Sequence, residues 1–254
     1  MGSEPNADAA PPLIEDDWAV FLDVDGSLAE HAPTPTDVRI DAQLMQALPK
    51  LAQMCGGALA LVSGRSIQAL DDLFAPLDIA AMAGLHGLER RGHGGAQSAP
   101  DMGDDFLALA RQAEVIAAEY PGAVVECKGG CLFLHWRSAP QAAASFGQFA
   151  ESVRAQLSGH RLHPGAHGIE IRPIGVDKGI AIAAFMEEAP FRGRRPVFIG
   201  DDPADEPGFA VVNAFDGVSV LVGEARASSA RYRLQNPRRV RQWLFASLDR
   251  KQAA

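Results

Sequence analysis

The apolar run Trp18-Ala-Val-Phe-Leu22 ends on Asp23-Val-Asp25-Gly26, and that junction constrains the fold more than any other stretch of the chain. A strand of uninterrupted apolar residues has to be buried on both faces, as in a parallel sheet covered by helices. In an extended segment residues i and i+2 point the same way, so Asp23 and Asp25 are expected to meet unless the strand bends before them. Two carboxylates that close need a cation or a raised pKa, and packing alone would be served better by Val or Thr.

The segments after this junction fit such a sheet. A helix is predicted over Asp37–Met54, where Val38, Ile40, Leu44, Leu48 and Leu51 fall near helical spacing and Gly56-Gly57 supplies the stop. Ala58–Val62 reads as a second strand ending in Ser63-Gly64-Arg65, Ile67–Phe74 as a second helix and Ala80–Leu85 as a third strand. The rhythm then changes. Phe106–Tyr120 reads as a helix, Val124–Trp136 as a hairpin around Lys128-Gly-Gly, Gln141–Leu157 as a helix, and Arg161–Ile174 as a strand pair broken near Pro164-Gly165. After it Asp177 is placed to cap a helix to Glu188, Pro196–Gly200 forms a strand ending in Asp201-Asp202, Asp205–Asn213 a helix, and Val218–Val222 the last strand.

The fold class expected is α/β: a doubly wound core with an inserted α+β domain. The boundaries read as a tail over 1–17, a core over 18–100 and 174–254, and an insertion over 101–173, with hinges at Arg91–Ser98 and Pro173–Asp177.

The formal net charge of -9 argues against a nucleic-acid partner, and an anionic ligand has to find a local positive site. Five arginines between Arg231 and Arg241 read as the solvated face of the last helix. The opening MGSEPNADAAPP contains no apolar core of a signal peptide and no membrane span, so a cytoplasmic location with no membrane partner is the expectation; a monomer is the default, with a dimer as the alternative. Cys127, Cys131 and His135 are spaced like metal ligands, but Gly129-Gly130 between the cysteines suits a turn and a fourth ligand is not apparent.

Each polar cluster of the core lies just past the C-terminal end of a predicted strand or at a helix start, the edge of an open α/β sheet where ligands bind. Asp23, Asp25, Asp201 and Asp202 together would concentrate negative charge tolerable only beside a hard cation such as Mg²⁺. A lysine at a helix N-terminus, Lys178, opposes the macrodipole and is better explained by an anion it holds. Ser63 precedes a helix whose first N–H groups suit phosphate oxygens. A metal and a phosphate are therefore expected side by side.

This set resembles the haloacid dehalogenase superfamily of phosphatases. The resemblance implies Asp23 as nucleophile, Asp25 as general acid/base, Ser63 and Lys178 as grips on the phosphoryl oxygens, Asp23, Asp25 and Asp201 as metal ligands, and Asp202 and Asp205 in support. Within it, Gly84-Leu-His86-Gly87-Leu-Glu89, Glu126-Cys-Lys128, His135-Trp-Arg137, Gly168-Ile-Glu170-Ile-Arg172-Pro173 and Gly200-Asp-Asp-Pro-Ala-Asp-Glu206 look like the trehalose-6-phosphate phosphatases. That likeness implies a sugar phosphate as small-molecule substrate, Glu126, Lys128 and Glu170 as contacts to the sugar farther from the phosphate, and Gly64, Arg65, His86 and Arg137 near the substrate. Glu126 and Lys128 lie two apart on one strand face, which also suits a surface ion pair. A capped phosphatase for sucrose phosphate or mannosyl-phosphoglycerate, and a catalytically silent sugar-phosphate sensor, are the alternatives; turnover with Mg²⁺ separates the last from the rest.

Overall fold

A computed structural model describes residues 10–32, 34–92, 94, 95, 97, 98, 103–128, 130–157 and 159–252. In chain order the elements are β1 (Trp18–Leu22), α1 (Ala42–Met54), β2 (Leu59–Val62), α2 (Ile67–Phe74), β3 (Ala81–Gly84), β4 (Glu89–Arg91), β5 (Gln97–Ser98), α3 (Asp104–Ala118), β6 (Val124–Lys128), β7 (Cys131–His135), α4 (Ala143–Gln156), β8 (His160–Gly165), β9 (Gly168–Pro173), α5 (Lys178–Met186), β10 (Arg195–Gly200), α6 (Glu206–Ala214), β11 (Val218–Val222), β12 (Tyr232–Leu234) and α7 (Pro237–Gln252). The chain forms two compact units, Met1–Ser98 with Asp177–Ala254, and Ala99–Val176.

The first unit is an 8-stranded sheet in the order β12-β11-β10-β1-β2-β3-β4-β5. All pairs from β12 to β3 are parallel and the last two are antiparallel. From β1 the chain winds outward through β2 and β3, then returns on the other side of β1 through β10, β11 and β12, which is the doubly wound arrangement. Every residue of β1, β2, β3 and β11 is buried, as the apolar runs require. Phe21, Phe185 and Phe191 pack together in this core, with Phe21 and Phe191 stacked at 5.4 Å.

Several predicted boundaries move for local reasons. The helix expected from Asp37 begins at Ala42, because Asp41 accepts hydrogen bonds from the Gln43 and Leu44 amides and caps the chain there, while Pro35–Asp37 form a separate 3-10 turn. The helix expected over Asp205–Asn213 is preceded by a 3-10 turn at Pro203–Asp205, whose capping box joins Asp202 and Asp205. The stretch read as a hinge at Arg91–Ser98 begins and ends in strands, with Arg91 donating to both Asp71 oxygens at 2.9 and 2.7 Å; positions 93 and 96 lie outside the described residues. The arginine cluster is not one helix face: Arg231 and Arg233 flank or lie in β12, and only Arg238, Arg239 and Arg241 lie on α7.

The second unit is a 4-stranded antiparallel sheet, β6-β7-β9-β8. Leu132, Leu134 and Ile171 point from it into an apolar cluster with Phe106 and Leu109 of α3 and Phe146 and Phe149 of α4, so the helices cover one face. No helix among the described residues is long and apolar enough to cross a membrane.

The packing of α5 on α6 fixes the start of α5, and it depends on Gly179. A Cβ there would sit 2.5 Å from the Pro207 carbonyl oxygen and 2.7 Å from its carbon. Gly179→Ala is therefore expected to push the helices apart and cost about 1–3 kcal/mol, read as a lower urea midpoint at unchanged m value. An unchanged midpoint would mean that the contact is not a constraint.

Candidate active site

The strand order reverses between β1 and β10, and the chain leaves each of them on an acid. Register carries over into the loops: the Asp23 amide donates to the Ile199 carbonyl at 3.0 Å, so the β1 loop starts hydrogen-bonded to the strand that delivers Asp201. Gly26 completes the approach. Its φ of +80° is a glycine conformation, and a Cβ there would lie 2.0 Å from Asp201 Oδ2.

Lys178 reaches this junction from α5. Asp177 accepts from the Ile180 amide at 2.9 Å, which starts the helix one residue later and puts Lys178 in its first turn. Its Nζ donates to Asp23 Oδ1 at 2.7 Å and to Asp205 Oδ1 at 2.6 Å, with all three side chains buried. The other Asp205 oxygen accepts from the Asp201 and Asp202 amides at 2.9 and 3.0 Å. Asp205 is thus committed on both oxygens, to the lysine and to the backbone of the acid loop. Asp202 accepts from the Ala204 amide and caps its own turn.

Carboxylate oxygens of Asp23, Asp201 and Asp205 lie within 4.8 Å of one another, those of Asp205 already hydrogen-bonded. An all-carboxylate oxygen set of this kind suits a hard divalent cation. Asp25 does not join it. The strand ends at Leu22, ahead of both acids, so the alternation that would set Asp23 and Asp25 on one face does not extend to them: the chain turns and Asp25 pairs in an isolated bridge with Ala29. Its carboxylate receives Arg65 Nε and Nη2, each at 2.7 Å. Among the acids predicted to hold metal, the structure brings the Asp23 and Asp201 carboxylates together and pairs the Asp25 carboxylate with Arg65.

Burial dominates the electrostatics. It pushes Asp23 up to about 6 against the pull of Lys178, with Asp201 adding to the rise. It pushes Asp201 up to about 6, with Asp205 and Asp202 adding to the rise and His31 opposing it through a 3.1 Å contact from Nε2 to Oδ2. Asp205 rises to about 7, again by burial, with Lys178 opposing. Burial alone would lower the Lys178 ammonium, but the Asp23 and Asp205 charges outweigh it and the net shift is upward. One lysine does not neutralise this cluster.

The β2 loop supplies the next wall. Ser63 is buried, its amide donates to Ala83 at the end of β3, and its Oγ accepts from the Arg65 amide at 3.2 Å. The chain after β3 folds back on this loop: the Leu85 amide donates to Arg65 and the His86 amide to Ser63. Leu85 and His86 both have positive φ, 48° and 58°, a strained pair that holds the His86 ring over Gly64, where a Cβ would meet it at 2.9 Å. His86 is thus beside Ser63 and Gly64.

Two contributors escaped sequence reading. His31 touches Asp201 from a loop with no motif around it. Arg226 donates to the Asp202 carbonyl at 2.8 Å and to Glu206 at 2.5 Å, and Glu206 also accepts from Ser228 and Ser229, so loop 223–230 braces the acid loop from outside. No sequence signal links Arg226 to Glu206 across 20 residues.

The remaining predicted residues lie in the second unit. Glu126 and Glu170 are on the sheet face opposite α3 and α4, each paired in register with Phe133. Arg137 is exposed in the turn after β7, and Lys128 ends β6 with its side chain outside the described residues. Cys127 faces the helix side, packed with the apolar cluster, whereas Cys131 and His135 belong to the other face, so the three do not form one metal site.

A sequence model of the trehalose-phosphatase family matches residues 21–238. A trehalose-6-phosphate phosphatase of Escherichia coli (strain K12) is 43% identical over 92% of this chain and 87% of its own length. A probable trehalose-phosphate phosphatase of Sinorhizobium fredii is 38% identical over 82% of this chain and 78% of its own. The solved C-terminal domain of the C. albicans trehalose-6-phosphate phosphatase superposes with a TM-score of 0.76 at 18% identity, covering 96% of this chain and 99% of that one, a likeness of fold.

The raised carboxylates carry a sign. An acid whose folded pKa lies above its unfolded value makes the folded state lose stability as pH rises from about 4 through 6 to 7, because the unfolded chain ionises first. Asp201→Asn removes one such cost and is expected to stabilise the metal-free protein at pH 8 by roughly 1–3 kcal/mol, with little change at pH 4. With a millimolar divalent cation present, the variant is expected to gain less stability than the unaltered protein does. Thermal melts at both pH values, with EDTA and with Mg²⁺, check this; a variant no more stable than its parent at pH 8 in EDTA would contradict it.

Proposed function

The chain belongs to the trehalose-phosphatase family, and on that premise we propose that it hydrolyses trehalose 6-phosphate to trehalose and phosphate, the last step of trehalose biosynthesis. The observation that carries the reading is the buried Lys178 ammonium shared by Asp23 and Asp205 beside Asp201 at the sheet's reversal point. That cluster joins a nucleophile-grade carboxylate, a fixed positive charge and a cation-binding oxygen set in one place.

The reaction runs in two displacements. An Asp23 carboxylate oxygen attacks phosphorus, the bond from phosphorus to the sugar oxygen breaks, and Asp25 gives that oxygen its proton. Asp25, now a carboxylate, takes a proton from water, whose oxygen attacks the aspartyl phosphate and releases phosphate and free Asp23. Because Arg65 donates to both Asp25 oxygens, each proton transfer requires at least one of those hydrogen bonds to open, so Arg65 orients Asp25 between turnovers. The Ser63 hydroxyl, which accepts from the Arg65 amide, keeps its own proton for a phosphoryl oxygen, and Lys178 supplies the charge. Asp23 and Asp201 would hold the divalent cation, Mg²⁺ by the hardness of the donors, and it would supply charge to offset the phosphoryl oxygens. Asp202 and Asp205 shape the loop around them.

Selection of the sugar falls to Glu126, Lys128 and Glu170 of the second unit, with Arg137 nearby, since they take no part in phosphoryl transfer. Carboxylates accept from sugar hydroxyls and an ammonium donates to them.

A phosphate-release panel over trehalose 6-phosphate, sucrose phosphate, mannosyl-phosphoglycerate and p-nitrophenyl phosphate, with Mg²⁺ and with EDTA, tests the function; no metal-dependent preference for trehalose 6-phosphate would overturn it. Asp23→Asn should leave the fold intact and abolish turnover, and activity near the parent's would rule out the covalent route. Glu170→Ala should lower kcat/KM for trehalose 6-phosphate about ten- to a hundredfold while sparing p-nitrophenyl phosphate. Equal losses on both substrates would assign Glu170 to architecture.

A further inference from the structure

The sheet of the second unit sets one row of residues across three strand pairings: Glu126 opposite Phe133, Phe133 opposite Glu170, and Glu170 opposite His163. Cross-strand partners share a face, and the neighbours Leu132, Leu134 and Ile171 point the other way into the apolar cluster. Phe133 is therefore an aromatic ring on the polar face. It belongs neither to the buried apolar cluster nor to the side chains packed against it, and it is half-buried between two carboxylates. Its ring runs nearly parallel to that of His135, two residues along the strand on the same face, at 6.1 Å and 12°.

A core role does not account for this ring, since it lies outside the apolar cluster, and a strand position flanked by two glutamates is an unusual place for a large apolar side chain. A pyranose fits what the row offers. One face of such a sugar is a patch of C–H groups, and its rim carries hydroxyls. An aromatic ring takes the C–H face, and acceptors on either side take the rim. Glu126 and Glu170, one strand spacing to each side of Phe133, stand about 10 Å apart at their Cβ atoms.

We infer that Phe133 is a specificity-determining residue: its ring is the platform on which the sugar farther from the phosphate lies, between Glu126 and Glu170. The inference rests on the reading that this face selects a disaccharide phosphate, and adds to it a contact by stacking where the carboxylates contribute hydrogen bonds. His163, beyond Glu170, closes the row and limits how far the sugar extends along it.

Three variants and two substrates test this. Phe133→Leu keeps an apolar side chain and removes the ring; it should lower kcat/KM for trehalose 6-phosphate by about tenfold and leave p-nitrophenyl phosphate hydrolysis within about twofold. Phe133→Trp should retain activity within about threefold, because a larger ring still stacks. Glu170→Ala serves as the control for the face itself. In proton NMR, trehalose titrated into the Mg²⁺-loaded parent protein should show upfield shifts of its ring C–H signals, lost with Phe133→Leu. Unchanged trehalose 6-phosphate kinetics in Phe133→Leu, equal losses on both substrates, or no upfield shift in the parent would each overturn the platform. If Glu170→Ala is selective while Phe133→Leu is silent, the disaccharide reading stands and the platform falls. If the unaltered enzyme does not prefer the disaccharide phosphate, the underlying reading falls and the platform with it.

Discussion

Everything in the core unit converges on one buried ammonium. Lys178 holds Asp23 at the end of β1 and Asp205 at the start of α6, and Asp205 in turn holds the amides of Asp201 and Asp202. Taking these charges out of water is expensive, and a single lysine against three carboxylates leaves the balance unpaid. The upward shifts of Asp23, Asp201 and Asp205 express that deficit. A cluster with that deficit suits a further cation, so the stability of the unit and the chemistry of the site depend on the same charges.

Close approach of backbones makes the cluster possible. Gly26 lets the β1 loop lie against Asp201, Gly200 leaves room for the Asp205 carboxylate, where a Cβ would be 2.3 Å from Cγ, and Gly179 lets α5 lie against α6. Each of these glycines stands beside a charged residue of the site. The positive φ values of Leu85 and His86 are the complementary device, since no glycine relieves them and the surrounding hydrogen bonds to Ser63 and Arg65 keep the turn in place.

Much of the fold was legible because the core strands are apolar on both faces and the helices between them carry ordinary stop signals. The elements that escaped are the short ones at the sheet edges, β4, β5 and β12. They carry polar residues such as Arg90, Arg91 and Arg233, whose side chains are paired with Glu188, Asp71 and the Gly223 carbonyl. Two or three residues are too few for a period of two to emerge, and an edge strand discourages further pairing by being short and charged. The helix start at Ala42 was missed for a different reason: Val38 and Ile40 continue the apolar pattern, but the Asp41 carboxylate captures the amides that would have extended the helix backwards.

The site divides in the same way. Which acids are present, and at which strand ends, is readable from sequence; which acid faces which is not. Asp23 and Asp25 are two apart and part company within one turn, whereas Asp23 and Asp205 are 182 positions apart in sequence and share one ammonium. Alternation holds only while the backbone stays extended, and β1 stops one residue before its first acid. Beyond that point the direction of a side chain is set by the hydrogen bonds of the turn, here the bridge of Asp25 with Ala29 and the φ of Gly26, and by whichever partner the turn then presents. Asp25 meets Arg65, which frees Asp23 to meet Lys178 and Asp201. Two carboxylates two residues apart are thus separated into one held by an arginine and one held by a lysine beside a third acid, the kind of difference in environment that the proposed acid/base and nucleophile roles call for.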